Sequence, residues 1–155
     1  MTDTTSAQAY DAAMAVVKTG WEEVGSPTEN LSLRYWNTGT EVSTAGKSTS
    51  SPHEANAYGQ VASTPIGSVS DVLGGRSQRW TETETLTVGI FTPIGDGGVL
   101  ERSIRDHVMK KLRSHVGSVN GISFVDIVPV RVGQDGSHQH LNINASYRFQ
   151  TRVTA

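Results

Sequence analysis

Cysteine is absent from the 155 residues of this chain. Without thiols, the protein can form neither disulfide bonds nor thiolate zinc sites, and it cannot use a cysteine nucleophile. The absence also fits a protein that folds in a reducing cytoplasm. Enzyme classes that depend on cysteine chemistry are therefore excluded.

Long apolar runs and a surplus of basic charge are also missing. No stretch approaches the roughly 18 apolar residues of a membrane-spanning helix, and the amino-terminal sequence MTDTTSAQAY lacks the pattern of a signal peptide. The formal net charge is −2, whereas a general nucleic-acid binder usually carries a basic stripe. A chain of this length can bury roughly 70% of its unfolded surface as one domain. We expect a single soluble, intracellular domain.

The first amphipathic pattern predicts a helix near the amino terminus. Thr5 followed three residues later by Gln8 is a capping-box signature, and Gly25-Ser26-Pro27 supplies a stop. The apolar residues recur at alternating spacings of four and three, which keeps them on one stripe of a helix. The stripe consists of Tyr10, Met14, Val17, Trp21 and Val24.

A second helix is predicted over residues 99–116. Asp96 is placed to cap its amino end, and Gly117 to end it. Glu101 with Arg105 forms a favourable charge pair four residues apart, as does Asp106 with Lys110. The apolar face consists of Leu100, Ile104, Val108, Leu112 and Val116.

Alternating patterns predict about five strands, at residues 31–36, 57–64, 79–92, 122–132 and 139–153. In the last of these, QHLNINASYRFQTRV, apolar and polar residues alternate for fifteen residues, which is longer than the usual strand of about five or six. Pro129 marks the preceding strand as an edge or a bulge. The elements predict an α+β fold: a mixed or antiparallel sheet with two helices on one face.

Two segments between these strands are predicted to be loops. Residues 37–56 are rich in Ser, Thr and Gly and nearly free of large apolar residues, so we expect a flexible loop of about twenty residues. Residues 65–78 contain a Gly-Gly break and are also predicted as a loop.

The glycine turn at residues 95–98 resembles a phosphate-binding loop only superficially. A P-loop needs a longer glycine frame that ends in Lys-Ser or Lys-Thr, and a dinucleotide fingerprint follows a buried parallel strand. Here Asp96 would repel phosphate, and the incoming strand is half polar. We interpret the turn as a helix start rather than a cofactor site.

Few residues suggest catalysis or metal binding. His138 and His140 share one strand face, but no third ligand is placed by the sequence, so a solvated strand start is the favoured interpretation. Glu82 and Glu84 also share a face, and we interpret them as a solvated strand end, with a subunit contact as the next alternative. Adjacent Ser-His pairs lack a nucleophile elbow. We expect no enzyme activity, no metal and no cofactor.

A composite of several segments resembles the tail-terminator proteins of long-tailed bacteriophages. It comprises RWTETETLTVGIFTPIGDGG (79–98), an amphipathic helix, GISFVDIVPV (121–130), a short glycine-containing turn and the terminal strand HLNINASYRFQTRV (140–153). The resemblance covers residues 57–153 well and the amino-terminal helix loosely. Residues 1–155 would then form one tail-terminator-like domain.

The resemblance implies a virion structural protein. Such a subunit assembles in the host cytoplasm as a ring, usually a hexamer, on the head-proximal end of the tail tube. There it ends tube polymerisation and provides a surface for head–tail joining. The partners implied are other copies of the chain, the tail tube protein and a head-completion or connector protein, but neither a membrane nor a specific nucleic-acid sequence, although the genome would pass through the ring.

Two alternatives stay open at this point. The chain could be another neck or head-completion protein, or, more distantly, a small metal- or ligand-binding enzyme domain using His138, His140 and Glu82. For the ring, we predict a contact between the acidic strand end at Glu82 and Glu84 and a neighbour's basic strand end at Arg148 and Arg152.

Overall fold

A computed structural model describes residues 4–22, 31–35, 41–45, 57–70, 77–95, 98–115, 121–135 and 138–154. The helices are α1 (Ser6–Glu22) and α2 (Val99–Ser114). The strands, in chain order, are β1 (Leu31–Tyr35), β2 (Glu41–Ala45), β3 (Tyr58–Ser70), β4 (Ser77–Pro93), β5 (Ile122–Asp135) and β6 (His138–Thr154).

The strands described form one sheet in the order β2-β1-β3-β4-β6-β5. All neighbours are antiparallel except β1 and β3, which are parallel. The predicted α+β class with two helices is therefore confirmed. The prediction of about five strands differs in detail, because four long antiparallel strands are extended at one side by two short ones.

One face of the sheet packs against both helices. On β4 and β6, Leu86, Val88 and Ile90 lie directly opposite Ala145, Ile143 and Leu141, and all six are buried. Period-two alternation places these residues on one face, because successive side chains in a strand point to opposite sides. The helix residues that complete this core are Ala9, Ala13, Met14, Val17, Trp21, Ile104, Val108, Met109 and Leu112.

The start of α1 is fixed by the predicted capping box. The backbone N–H of Thr5 donates to Gln8 Oε1 at 3.0 Å, and the backbone N–H of Gln8 donates to Thr5 Oγ1 at 3.2 Å. These reciprocal bonds satisfy two donors that a helix start leaves unpaired. Val24, the last residue of the predicted stripe, lies outside the described residues.

Gly20 does not end α1, which continues to Glu22. It lies instead at a close contact between the two helices, since a Cβ atom built on it would be 3.0 Å from the Cα of Val108. The absence of a side chain at this position therefore lets α1 and α2 pack backbone to backbone.

The start of α2 differs from the prediction. Gly98 occupies the N-cap position with φ of 82°, in the left-handed region that glycine favours, and no side chain caps the helix. The predicted cap, Asp96, is therefore not the N-cap residue. Asp96 itself lies outside the described residues, as do Val116 and Gly117.

Both predicted loops contain strand residues. β2 lies within residues 37–56, where it pairs with β1, and β3 continues through Pro65 to Ser70 with a bulge between Pro65 and Gly67. Proline fits such a place, because an edge strand or a bulge does not need its missing N–H. The remaining residues of the two predicted loops, 37–40, 46–56 and 71–76, lie outside the described residues.

The outer part of β3 is exposed. In the described chain, β1 pairs with β3 only over Tyr58–Val61. Beyond that point, Thr64–Val69 is exposed along its length, and we call it the distal β3 segment. It includes Ile66 and Val69, which are 59% and 64% exposed.

Candidate subunit-contact surfaces

Glu84 is an internal hydrogen-bond acceptor rather than part of a solvated strand end. Its carboxylate accepts from Tyr147 Oη at 2.5 Å, from Ser63 Oγ at 3.2 Å and from Ser6 Oγ at 3.2 Å. These bonds join β3, β4, β6 and the first residue of α1 at one carboxylate. Burial raises the pKa of Tyr147 well above its ordinary value, and the hydrogen bond to Glu84 raises it further. Tyr147 is therefore a neutral donor.

Glu82 and the two arginines of the predicted contact lie near Glu84. Glu82 is opposite Phe149 and therefore on the helix-covered face, whereas Arg148 is opposite Thr83 and Arg152 is opposite Arg79 on the other face. Both arginines are exposed, and Glu82 is half-buried. The structure brings all four predicted contact residues to one end of the sheet, on its two faces. They do not form two separate ends of the subunit.

His138 and His140 are buried, at 3% and 8% exposure, so the interpretation of a solvated strand start is wrong. Phe91 lies between the rings of Tyr58 and His140, with centroid distances of 4.6 Å and 4.0 Å. His138 makes an edge contact with Tyr58 at 5.3 Å. The alternation of side chains along β6 predicted that the two histidines share a face. Their aromatic neighbours belong to β3 and β4, so these ring contacts depend on the register between the strands.

The histidines and Glu82 do not converge on one site. His140 is opposite Phe91, nine residues along β4 from Glu82, which corresponds to about 30 Å at the usual rise per residue. The carboxylate and the imidazoles also lie on opposite faces. Within the residues described, no group of three or more His, Asp or Glu side chains is arranged to hold a metal ion.

The edge strand β5 exposes a row of valines. They are between 40% and 54% exposed, and β5 is the last strand of the sheet. Bulges interrupt its pairing between Phe124 and Asp126 and between Arg131 and Gly133, and Pro129 lies between them. Exposed apolar patches often indicate a protein contact. The row consists of Val125, Val128, Val130 and Val132.

A groove of about 640 Å³ lies between α2 and this edge strand. We call it the α2–β5 groove. Met109 and Pro129 contribute apolar lining, and three basic side chains also line it. Asp106, the acidic residue of the lining, is paired to Arg105 at 3.5 Å. The basic residues are Arg105, Lys110 and Arg113.

An ion pair holds α2 against β5 next to this groove. Glu101, in the first turn of α2, is buried and accepts two hydrogen bonds from the guanidinium of Arg131, one of them at 3.3 Å. The sequence predicted Arg105 as the partner of Glu101. The bidentate bond to Arg131 replaces that surface pair, because Glu101 points into the protein rather than along the helix surface.

Comparison with known proteins supports the fold alone. No protein-family model matches the chain, and no curated protein sequence matches it at a significant level. A solved structure known only by a sequence identifier aligns with 94% of this chain and 96% of its own, with a TM-score of 0.53 and 17% identity. No helix among the described residues is long and apolar enough to cross a membrane.

Proposed function

We propose that this chain is the subunit of a hexameric ring that caps the head-proximal end of a bacteriophage tail tube. The ring ends tube polymerisation and offers the surface to which the head is joined. The proposal begins from the resemblance of residues 57–153 to tail-terminator proteins. The α+β fold with both helices on one face agrees with that resemblance.

The exposed edge strand is the observation that carries the proposal. A subunit that acts by assembly needs surfaces for other proteins, and β5 presents four exposed valines in one row. The candidate catalytic side chains, by contrast, are separated: His138 and His140 are packed among aromatic rings, and Glu82 is on the other face. These features favour a structural subunit over an enzyme.

The first test is the mass and shape of the purified protein over a range of concentrations. Sedimentation and electron microscopy should detect rings at high concentration or on tail tubes. A phage that lacks the protein should produce tubes of uncontrolled length, and supplying the protein should restore one length. Tubes of normal length without the protein would contradict tail termination.

The position of the labelled protein separates termination from another role in the neck. Label on free, unattached tails would support termination. Label confined to filled heads would instead indicate a head-completion or connector protein.

A further inference from the structure

We infer that two copies of this chain pair through the exposed face of α1, with the two helices antiparallel and related by a two-fold axis. A two-fold contact uses the same surface on both copies and is complete with two, so it does not rest on the proposed ring. Three features of α1 lead to this pairing: its unpaired charges, the orientation of its dipole and the small side chains between the charges.

Two opposite charges lie on the exposed face of α1. Asp11 and Lys18 are both exposed, and neither has an ion-pair partner within the part of the chain that the structure describes. They are seven residues apart, which is nearly two turns and about 10.5 Å along the helix, so they share a face. At that distance they do not pair with each other.

A second copy of α1 in antiparallel orientation supplies both partners at once. When Asp11 of one copy lies opposite Lys18 of the other, the two-fold axis also places Lys18 of the first opposite Asp11 of the second. The axis then passes beside Ala15. The face is therefore complementary to itself, whereas a parallel pair in register would bring like charges together.

The dipole of α1 favours the same orientation. The first turn of α1 has no acidic residue and its last turn no basic one, and Glu22 lies at the carboxyl end. An acidic side chain is unfavourable there and favourable at a helix amino terminus. In the antiparallel pair, Glu22 lies opposite Ala7, in the first turn of the other copy's helix. All three charged residues of α1 are then placed favourably.

Small side chains allow the two helices to approach closely. Ala15 is exposed between the two charges, at the crossing point of the pair. Helix axes pack about 8–10 Å apart, depending on the side chains at the contact. Beside Ala15, a groove of about 300 Å³ runs between α1 and α2, and Ala12 and Val16 contribute its half-buried apolar lining. A second copy would remove this lining from water.

Charge reversal tests the two ion pairs. Asp11→Lys and Lys18→Asp should each raise the dissociation constant of the dimer by about tenfold or more, because each substitution places two like-charge pairs in the contact. A mixture of the two variants should form a heterodimer, since every lysine then faces an aspartate. A chain that carries both substitutions should pair with itself like the wild type. Sedimentation at low salt measures all four.

The matched control is Arg102→Asp, which makes the same charge change as Lys18→Asp at an exposed position on α2. It should leave the dimer unchanged. The thermal midpoints of the α1 variants should also be unchanged, because both positions are exposed. Dimerisation of Asp11→Lys at the wild-type concentration would overturn the inference.

Cysteine cross-linking tests the orientation, since the chain has no cysteine of its own. Under mild oxidation, Ala15→Cys should link to itself across the two-fold axis. Ala7→Cys should not link to itself but should link to Glu22→Cys on a second copy. Efficient linking of Ala7→Cys to itself would indicate parallel helices and would overturn the inference.

The dimer and the ring can fail separately. A wild-type protein that changes directly from monomers to rings, with no dimer at any concentration, would overturn the inference and leave the ring function standing. Dimers that are weakened by Asp11→Lys but never form rings on tail tubes would support the inference and contradict the proposed function.

Discussion

Tyr147 donates a hydrogen bond of 2.5 Å to Glu84, and the tyrosine ring is completely buried. The two residues face each other across β4 and β6 in register. Since Ser6 and Ser63 donate to the same carboxylate, Glu84 connects the start of α1 to the sheet. This arrangement predicts measurable effects on folding.

We first predict that Glu84→Ala destabilises the protein, whereas Glu82→Ala does not. Loss of Glu84 removes the charged acceptor of the buried Tyr147 hydroxyl and leaves it only Ser63 Oγ, 3.0 Å away, which should cost about 1–3 kcal/mol of unfolding free energy. Glu82 is on the same strand face but lacks this network, so its removal should change stability by no more than about 0.5 kcal/mol. Urea denaturation of both variants checks this, and equal effects would contradict it.

The second prediction concerns pH. The pKa of Tyr147 is raised above its ordinary value of 10.0 in the folded protein. The folded state therefore keeps its proton where the unfolded state loses it, and stability should fall as the pH rises above about 10. Unfolding experiments at pH 8 and pH 11 measure the loss, which Tyr147→Phe should reduce. A loss of the same size in Tyr147→Phe would exclude this residue as its source.

A third prediction follows from the pair between Glu101 and Arg131. Arg131→Met leaves the buried carboxylate of Glu101 without its guanidinium and should destabilise the protein by about 1–3 kcal/mol. Adding Glu101→Leu should recover part of that loss, since both partners are then apolar. A double-mutant cycle measures the coupling. Additive effects of the two substitutions would show that the pair contributes nothing of its own.

The fourth prediction compares two glycines of β3. A Cβ on Gly59 would lie 2.4 Å from the ring of Trp21, so Gly59→Ala should destabilise the fold by about 1–3 kcal/mol. A Cβ on Gly67 would meet nothing within 4 Å. Gly67→Ala is therefore the matched control and should leave the thermal midpoint almost unchanged. A comparable fall in both midpoints would show that backbone freedom, rather than contact with Trp21, matters at these positions.

Sequence patterns predicted those structural features that depend on contacts between residues close together in the chain. The capping box at Thr5 and Gln8 and the apolar stripe of α2 were both identified, because their partners lie three or four residues apart. The burial of alternate residues on β6 was also predicted, because the apolar residues of this strand recur at every second position and therefore share one face.

Features fixed by distant partners were missed. The sequences of β2 and the outer part of β3 have the composition of loops. These residues form strands because they pair with β1 and β4, which are distant in the chain. The burial of His140 depends on the ring of Phe91 across the sheet. Likewise, Glu101 binds a residue thirty positions away. None of these partners is encoded in the spacing of neighbouring residues.

The pairing of β4 with β6 has a mechanical consequence. It runs without a bulge from Ser77 opposite Thr154 to Pro93 opposite His138, a length of about 50 Å. A slip by one residue would turn every buried side chain of either strand to the opposite face. The two strands should therefore resist sliding past each other. A force applied at the end near Arg152 would be transmitted along them to the part of the sheet that packs against both helices.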